Sequence, residues 1–484
     1  MKKLLIIATS ALFVSNPTFA GGIITNTNQN ATFLRMPARG ASIAIDGVYS
    51  NPAGTAFLPQ GLHFSLSWQA AIQERKIESS NMLFSYNANN NSQERVFKGK
   101  TIAPVVPSLQ AAYVINDKWS ISGQFAVNGG GGKCDYENGL PMFEKLVGGK
   151  LIDAKADSYS LQQNLIGEQY FYSLQVGGTY KLTNNFSLFG GLRGILANCS
   201  YNGNITNIKA NGIKGSDYLT GVKAQVDAGI QQLEPVKDLP EYSATYNELV
   251  SSSAALGQGI ALMSQDFVLD CSQKDFGITP IIGLNWNLGK LNIGAKYEFR
   301  TKINLENDSK NSSQNVIALM PDYKHKGKVR SDIPAFLSVA AQYKILPTLR
   351  AAVEYHFFDD KAAYVGTDIN KNKYLTKGTN EYLFGIEWDV TKRITLSGGA
   401  QRTDFGLSDA YQSETSFQCD SYSLGIGAEI KMNDKLKLNL GYLKTNYYDY
   451  KVVTPNFNGV AGLTDTNIYS RNSNAFGVSL NYSL

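Results

Sequence analysis

Alternation with a period of two constrains this chain more than any other feature. In Leu291-Asn292-Ile293-Gly294-Ala295-Lys296-Tyr297-Glu298-Phe299-Arg300 the odd positions are apolar or aromatic and the even ones are polar, charged or glycine. Leu436-Lys437-Leu438-Asn439-Leu440-Gly441-Tyr442 repeats the pattern, and Phe476, Val478, Leu480, Tyr482 and Leu484 share one face at the C-terminus. Successive side chains of a strand point to opposite sides of a sheet, so these segments read as strands with one apolar and one polar face. The pattern recurs at 61–76, 94–115, 118–135, 168–182, 185–208, 272–288, 290–305, 325–345, 348–360, 377–390, 393–406, 418–432, 435–451 and 471–484, an even number of strands.

The connections follow a rhythm of their own. Short links at Asn116-Asp117, Thr183-Asn184, Gly289, Leu346-Pro347, Thr391-Lys392 and Asn433-Asp434 alternate with longer ones, the longest at about 136–167 and 209–271. Short turns at one end and long loops at the other predict an all-β fold, a 14-stranded antiparallel transmembrane β-barrel with its turns in the periplasm and its loops outside. Trp68, Trp119, Trp286 and Trp388 fall on outward faces near strand ends, where membrane girdles sit. A soluble β-sandwich or propeller requires neither this rhythm nor these girdles.

Composition agrees. A chain of 484 residues would ordinarily hold several soluble domains, but nothing resembles a domain linker, so 61–484 is expected to be one barrel. With 43% hydrophobic and 18% charged residues, and no repeated apolar runs of about 20 residues, a helical membrane bundle is excluded. The net charge of +5 is scattered, with no basic block to track phosphates, so nucleic acid is not an expected partner. At the N-terminus Lys2 and Lys3 precede an apolar run from Leu4 to Val14, and Thr18-Phe19-Ala20 leads into Gly21. Residues 1–20 therefore read as a removed export signal.

If the apolar set faces lipid, parity sends Gln124, Gln175, Arg193, Lys296, Glu298, Arg300, Glu354, His356, Glu387, Asp389 and Glu429 to the lumen, together with Phe189, Ile281, Phe336 and Phe358. A purely aqueous channel does not need those large apolar groups. They line a conduit for amphipathic molecules or pack a plug, and both readings stand. Residues 21–60 are not strand-like, yet Asn30–Ala41 and Asp46–Gly54 are too apolar for a solvated tail, so they are expected to form an N-terminal plug in the lumen.

A plug segment carrying Asn51-Pro52-Ala53 immediately before fourteen strands resembles the FadL/TodX family of outer-membrane transporters for long-chain fatty acids and other hydrophobic compounds. The likeness extends over essentially the whole chain after the export signal. It implies a location in the outer membrane of a Gram-negative bacterium, amid lipid and lipopolysaccharide, as a monomer without cofactor, metal or chemical step. It also implies a route: an apolar groove among the outer loops, a tighter lumenal site, movement of the plug as a hatch, and a lateral exit at an inward kink of the third strand.

Each part has an expected counterpart. Asn128-Gly129-Gly130-Gly131-Gly132 interrupts the alternation of the third strand and marks the kink, or else an early strand end. Leu140, Met142, Phe143, Leu146 and Val147, with Val222, Val226, Ile230 and Leu233 from the longest loop, form the capture groove or cap the mouth. A carboxylate in the lumen needs a cation, and Arg193, Lys296 and Arg300 are the candidates, followed by Arg35 and Arg39 of the plug.

Four cysteines, Cys134, Cys199, Cys271 and Cys419, allow three disulfide pairings, of which Cys199 with Cys271 would staple the base of the longest loop. No CxxC or His/Cys cluster suggests a metal. With only His63, His325 and His356 available, a barrel hydrolase is disfavoured. A surface adhesin or receptor working through the long loops is the other alternative.

Overall fold

The computed structural model describes residues 22–484, so the expected export signal at 1–20 lies outside the described residues. Fourteen long strands form the wall: β1 Gly61–Ser80, β2 Glu94–Val114, β3 Trp119–Tyr136, β4 Tyr159–Lys181, β5 Phe186–Ala210, β6 Phe267–Leu288, β7 Leu291–Glu298, β8 Phe336–Leu346, β9 Leu349–Phe358, β10 Thr379–Asp389, β11 Ile394–Asp404, β12 Ser421–Lys431, β13 Leu436–Tyr447 and β14 Asp465–Ser483. Each pairs antiparallel with the next. β1 then pairs with β14, from His63 opposite Ser483 to Ser80 opposite Thr466, and closes the barrel. Closure leaves no edge strand with unpaired backbone facing lipid.

The two faces of the wall are inverted relative to a soluble sheet. On β1, Ser65, Ser67, Gln69 and Gln73 are buried, whereas Leu66, Trp68 and Ile72 are exposed. Exposed apolar surface in water forfeits about 25 cal/mol per Å². Against a bilayer that cost disappears, and the inversion is what a membrane-spanning barrel requires. No described helix is long and apolar enough to cross a membrane.

Strand boundaries differ from expectation chiefly at the rim. β7 stops at Glu298 rather than 305, although alternation continues: Phe299 N–H bonds to Pro280 O, and Thr301 N–H then bonds to Ile333 O as the chain turns over the rim. Short strands at Ile213–Lys214, Asn304–Asp308, Lys328–Ser331, Val365–Gly366 and Tyr450–Thr454 extend the loops. The long-loop end also carries the helix Pro141–Asp153 and a hairpin of two helices, Gly215–Leu233 and Pro240–Met263. An aromatic and aliphatic core that includes Phe84, Phe97, Tyr136, Phe143, Tyr159 and Tyr469 fills this end.

Residues 22–60 occupy the lumen. A short helix, Ala31–Arg35, begins at Asn30, whose side chain accepts from the Thr32 N–H. The last turn of the plug, Pro52–Phe57, begins in the same way: Asn51 accepts from the Gly54 N–H, and Pro52, with no N–H to satisfy, starts the turn. The physical content of Asn51-Pro52-Ala53 is thus a cap, a helix-compatible proline and a small buried residue.

Candidate functional site

The plug is seated at the short-turn end by hydrogen bonds to small polar side chains of the wall. Asn51 Nδ2 donates to Asn285 Oδ1 at 2.7 Å, Thr179 Oγ1 to Pro52 O at 3.0 Å, and Ser187 Oγ to Ala53 O at 2.7 Å. Ala53 packs on Phe189 and Ile281. Higher in the lumen the seat consists of glycines. A Cβ built at Gly399 would lie 2.7 Å from Pro37 Cδ, at Gly441 2.5 Å from Ala31 O and at Gly477 2.7 Å from Leu34 Cδ1. Gly385 and Gly425 likewise lie against Met36 and the Leu34 carbonyl. Strands β10 to β14 therefore admit the plug because side chains are missing where it lies.

Charges hold it in place. Glu387 accepts from Arg35 Nη1 at 2.7 Å and from Arg350 Nε at 2.8 Å, with Arg39 Nη1 at 3.4 Å. Arg39 also forms a fork with Asp46, at 2.7 and 3.0 Å. On β5 and β7, Arg193 is bidentate to Glu298, and Lys296 Nζ lies 2.8 Å from Glu298 and donates to Tyr49 O at 2.7 Å. Lys296 also sits 3.7 Å over the Tyr49 ring. His356 stands between Glu381 and Glu354, at 2.9 and 2.6 Å, and Glu354 accepts the Gly40 N–H at 2.7 Å.

These contacts place the expected lumenal residues. Arg193 and Lys296 are in the lumen but engaged with Glu298 and the plug, as Arg35 and Arg39 are with Glu387 and Asp46. Arg300 is not in the lumen: β7 has already ended, and the exposed guanidinium donates to Ala362 O at the rim. Phe189 supports Ala53, while Phe336 and Phe358 stack with centroids 4.5 Å apart. Gly22 lies against Phe358, so these rings pack the plug.

The wall is interrupted between β2 and β3. Their register runs from Val114 opposite Ser120 to Ser108 opposite Ala126, and resumes only at Thr101 opposite Cys134. The strand does not end at the glycine run; it bends, with Gly130 and Gly132 at φ +79° and +71°. β2 contributes equally, because Pro104 and Pro107 have no N–H for a ladder. The first residues of the plug take up the freed groups of β3. Thr25 bridges to Gly129, Asn26 N–H donates to Asn128 O at 2.9 Å and Gly130 N–H to Ile24 O at 3.3 Å.

At the long-loop end the helix Pro141–Asp153 lies across the mouth. Leu140, Phe143 and Val147 are buried and Met142 and Leu146 half-buried, so they belong to a closed cap rather than an open groove. Val222, Val226, Ile230 and Leu233 are half-buried in the separate helical hairpin. Glu144 accepts from Asn87, Arg95 and Tyr159, and Lys145 donates to Glu414 at 3.1 Å and Asp465 at 2.8 Å. Burial holds the Glu414 carboxyl above its ordinary range, with Lys145 pulling against it. Burial likewise pushes Asp360, which accepts from the Ile23 N–H, up to about 7.

Beneath the cap is a cluster that strand parity alone did not single out. Arg75 of β1 and Arg471 of β14 are directly opposite each other and buried. Arg75 Nη2 donates to Phe417 O at 3.1 Å, Arg471 to the Gln418 side chain, and Lys371 Nζ to Ser416 O at 2.7 Å. Three basic side chains thus converge on one loop segment, each over an aromatic ring: Phe417 at 4.3 Å, Tyr447 at 5.0 Å and Tyr411 at 4.6 Å; burial, with Arg75 nearby, lowers the Lys371 pKa well below its ordinary value. Like charges directly opposite on a sheet repel, and here oxygens of Phe417, Gln418 and Gln73 and two aromatic faces receive the guanidiniums.

The cysteines form no bridge; all four are buried free thiols. Cys199 is opposite Gln273 and Cys271 opposite Tyr201, a diagonal offset of about 7–8 Å that disulfide geometry does not span. Among the described residues no group of His, Cys, Asp or Glu is arranged to hold a metal ion.

No protein-family model and no curated protein sequence matches the chain. Solved structures do. A Pseudomonas aeruginosa FadL homologue aligns with a TM-score of 0.64 at 13% identity, over 96% of this chain and 100% of that one. The Ralstonia pickettii toluene transporter TbuX aligns at 0.52 with 12% identity, over 94% and 98%, and the P. putida toluene transporter TodX at 0.50 with 13% identity, over 91% and 94%. The chain therefore has the fold of the FadL and TodX barrels, as the strand alternation and the Asn51-Pro52-Ala53 segment lead one to expect.

Proposed function

We propose that the protein is an outer-membrane channel for passive uptake of hydrophobic molecules, with long-chain fatty acids as its cargo. The long loops face the outside, within the lipopolysaccharide layer, and the short turns face the periplasm. The observation that carries this reading is the interruption between β2 and β3, whose inner side is closed by the start of the plug. A molecule admitted beneath the cap meets a lumen blocked by residues 22–60. Displacement of Ile24 to Asn26 from β3 uncovers a way through the wall into the membrane, without passage through water. No energy source is needed, because an apolar chain moves downhill into lipid.

The basic cluster favours a fatty acid over a neutral hydrocarbon. Two of the structural neighbours are toluene transporters, and toluene offers no charge to a guanidinium. Arg75, Arg471 and Lys371, set among Tyr411, Phe417 and Tyr447, suit a carboxylate followed by an alkyl chain. Leu140, Met142, Phe143, Leu146 and Val147 supply the apolar surface that receives the chain when the cap opens.

Uptake of a radiolabelled long-chain fatty acid by cells tests the reading. Deleting residues 24–45 and, separately, replacing Gly129 to Gly132 with alternating Val and Thr should each impair uptake. Unchanged uptake in both variants, with normal barrel insertion, overturns it.

A further inference from the structure

On β4 the wall beside the interruption carries three consecutive aromatics, Tyr170-Phe171-Tyr172. Phe171 points inward, is fully buried and lies opposite Gly129. Tyr170 and Tyr172 point outward, and their rings stack with centroids 5.7 Å apart and planes at 20°. A Cβ built at Gly132 would be 3.7 Å from Tyr170 Oη and 3.7 Å from Ala103 Cβ of β2. The half-buried phenol therefore stands within the interruption, over a position with no side chain that the inward-facing Ala103 and Thr101 of β2 also approach. The outer rim there is apolar, with Ile102 and Val105 exposed.

From this geometry we propose that Tyr170 is a gate standing in the β2–β3 interruption, and the residue that meets the polar end of an amphipathic ligand as it leaves the barrel. The proposal rests on the lateral route described above. Two properties of the side chain matter. Its ring, held by Tyr172, stands in the interruption whose inner side Ile24 to Asn26 close. Its hydroxyl has no hydrogen-bond partner among the described residues, so its donor is open to a ligand head group. A carboxylic acid, ester or alcohol head entering the interruption supplies the missing acceptor, whereas a plain hydrocarbon does not. The gate is thus a specificity element for single-chain molecules with a hydrogen-bonding head.

Uptake of hexadecanoate and of hexadecane, each radiolabelled, is measured in cells producing the wild type, Tyr170→Phe, Tyr170→Ala and the variant with Gly129 to Gly132 replaced. Heat-modifiable electrophoretic mobility verifies that each barrel is folded. Tyr170→Phe should lower hexadecanoate uptake about threefold to tenfold, the worth of one hydrogen bond, and leave hexadecane unchanged. Tyr170→Ala should raise hexadecane uptake. Equal effects on both compounds, or none on either, overturn the proposal. In that event, abolition of uptake by the glycine replacement leaves the lateral route standing without Tyr170. Normal uptake by that variant removes route and gate together.

Discussion

A Cβ placed on Gly441 would stand 2.5 Å from the carbonyl oxygen of Ala31, so β13 and the plug helix meet backbone to backbone. Gly441→Val should therefore unseat the plug while leaving the wall intact, since forcing extra methyl groups into such a contact costs about 1–3 kcal/mol. Planar-bilayer recordings should show larger and more frequent conductance than wild type. Gly190→Ala, at a wall position with nothing within 4 Å of the added atom, is the matched control and should behave as wild type.

The second anchor is electrostatic. Glu387 receives Arg35, Arg39 and Arg350, so Glu387→Leu leaves three guanidiniums facing a buried apolar side chain. Loss of one partner of a buried pair costs about 3–5 kcal/mol. Removing Arg35 at the same time should recover part of that. A double-mutant cycle on Arg35→Met and Glu387→Leu, read by denaturant unfolding in detergent, should return a coupling energy well above the scatter of independent sites. Simple additivity would mean that Arg39 and Arg350 hold Glu387 without help from the plug helix.

Much of the wall was legible because a strand imposes one period and a membrane inverts it. Phe476, Val478 and Leu480 announce an outward face without any knowledge of their neighbours. What depends on register was not legible. Arg75 and Arg471 have the inward parity of Gln73, but their opposition appears only when the first strand closes on the last. Cys199 and Cys271 fall on adjacent strands as expected, and the register then sets them two residues apart. Arg300 continues the alternation of β7 beyond the point where the wall ends, because a rim turn leaves no mark on periodicity. The glycine seat escaped for a related reason. A lone glycine in a strand reads as neutral until something is found lying against it. Pro104 and Pro107 were readable as breaks in β2, and only their position opposite Gly129 to Gly132 gives them a role.

The cap should respond to pH. Burial holds Glu414 above its ordinary value of 4.5 in the folded protein, against the pull of Lys145. A carboxyl with a raised folded pKa binds more protons when folded. Its contribution to stability is fully present below its unfolded pKa and is lost as pH rises through the folded one. Glu414→Gln removes that dependence. The melting temperature of Glu414→Gln relative to wild type should therefore increase as pH is raised from about 4 through the folded pKa, and then level off. A constant difference across that range would show that Lys145 offsets the burial of Glu414 completely.

The sharpest test of cargo lies in the three basic side chains beneath the cap. A hydrogen bond to a charged group is worth about 1.5–3 kcal/mol, so replacing Lys371 or Arg471 by Met should weaken fatty-acid binding roughly tenfold to a hundredfold. Binding of a hydrocarbon of the same chain length should change little, because Met keeps most of the apolar volume over Tyr411 and Tyr447. Titration calorimetry in detergent, with hexadecanoate and hexadecane as paired ligands, separates the two contributions. Loss confined to the carboxylate assigns the cluster to the ligand's head group. Equal loss for both ligands would mean that these side chains only shape the pocket, and would return the toluene-like neutral compounds to the front of the candidates.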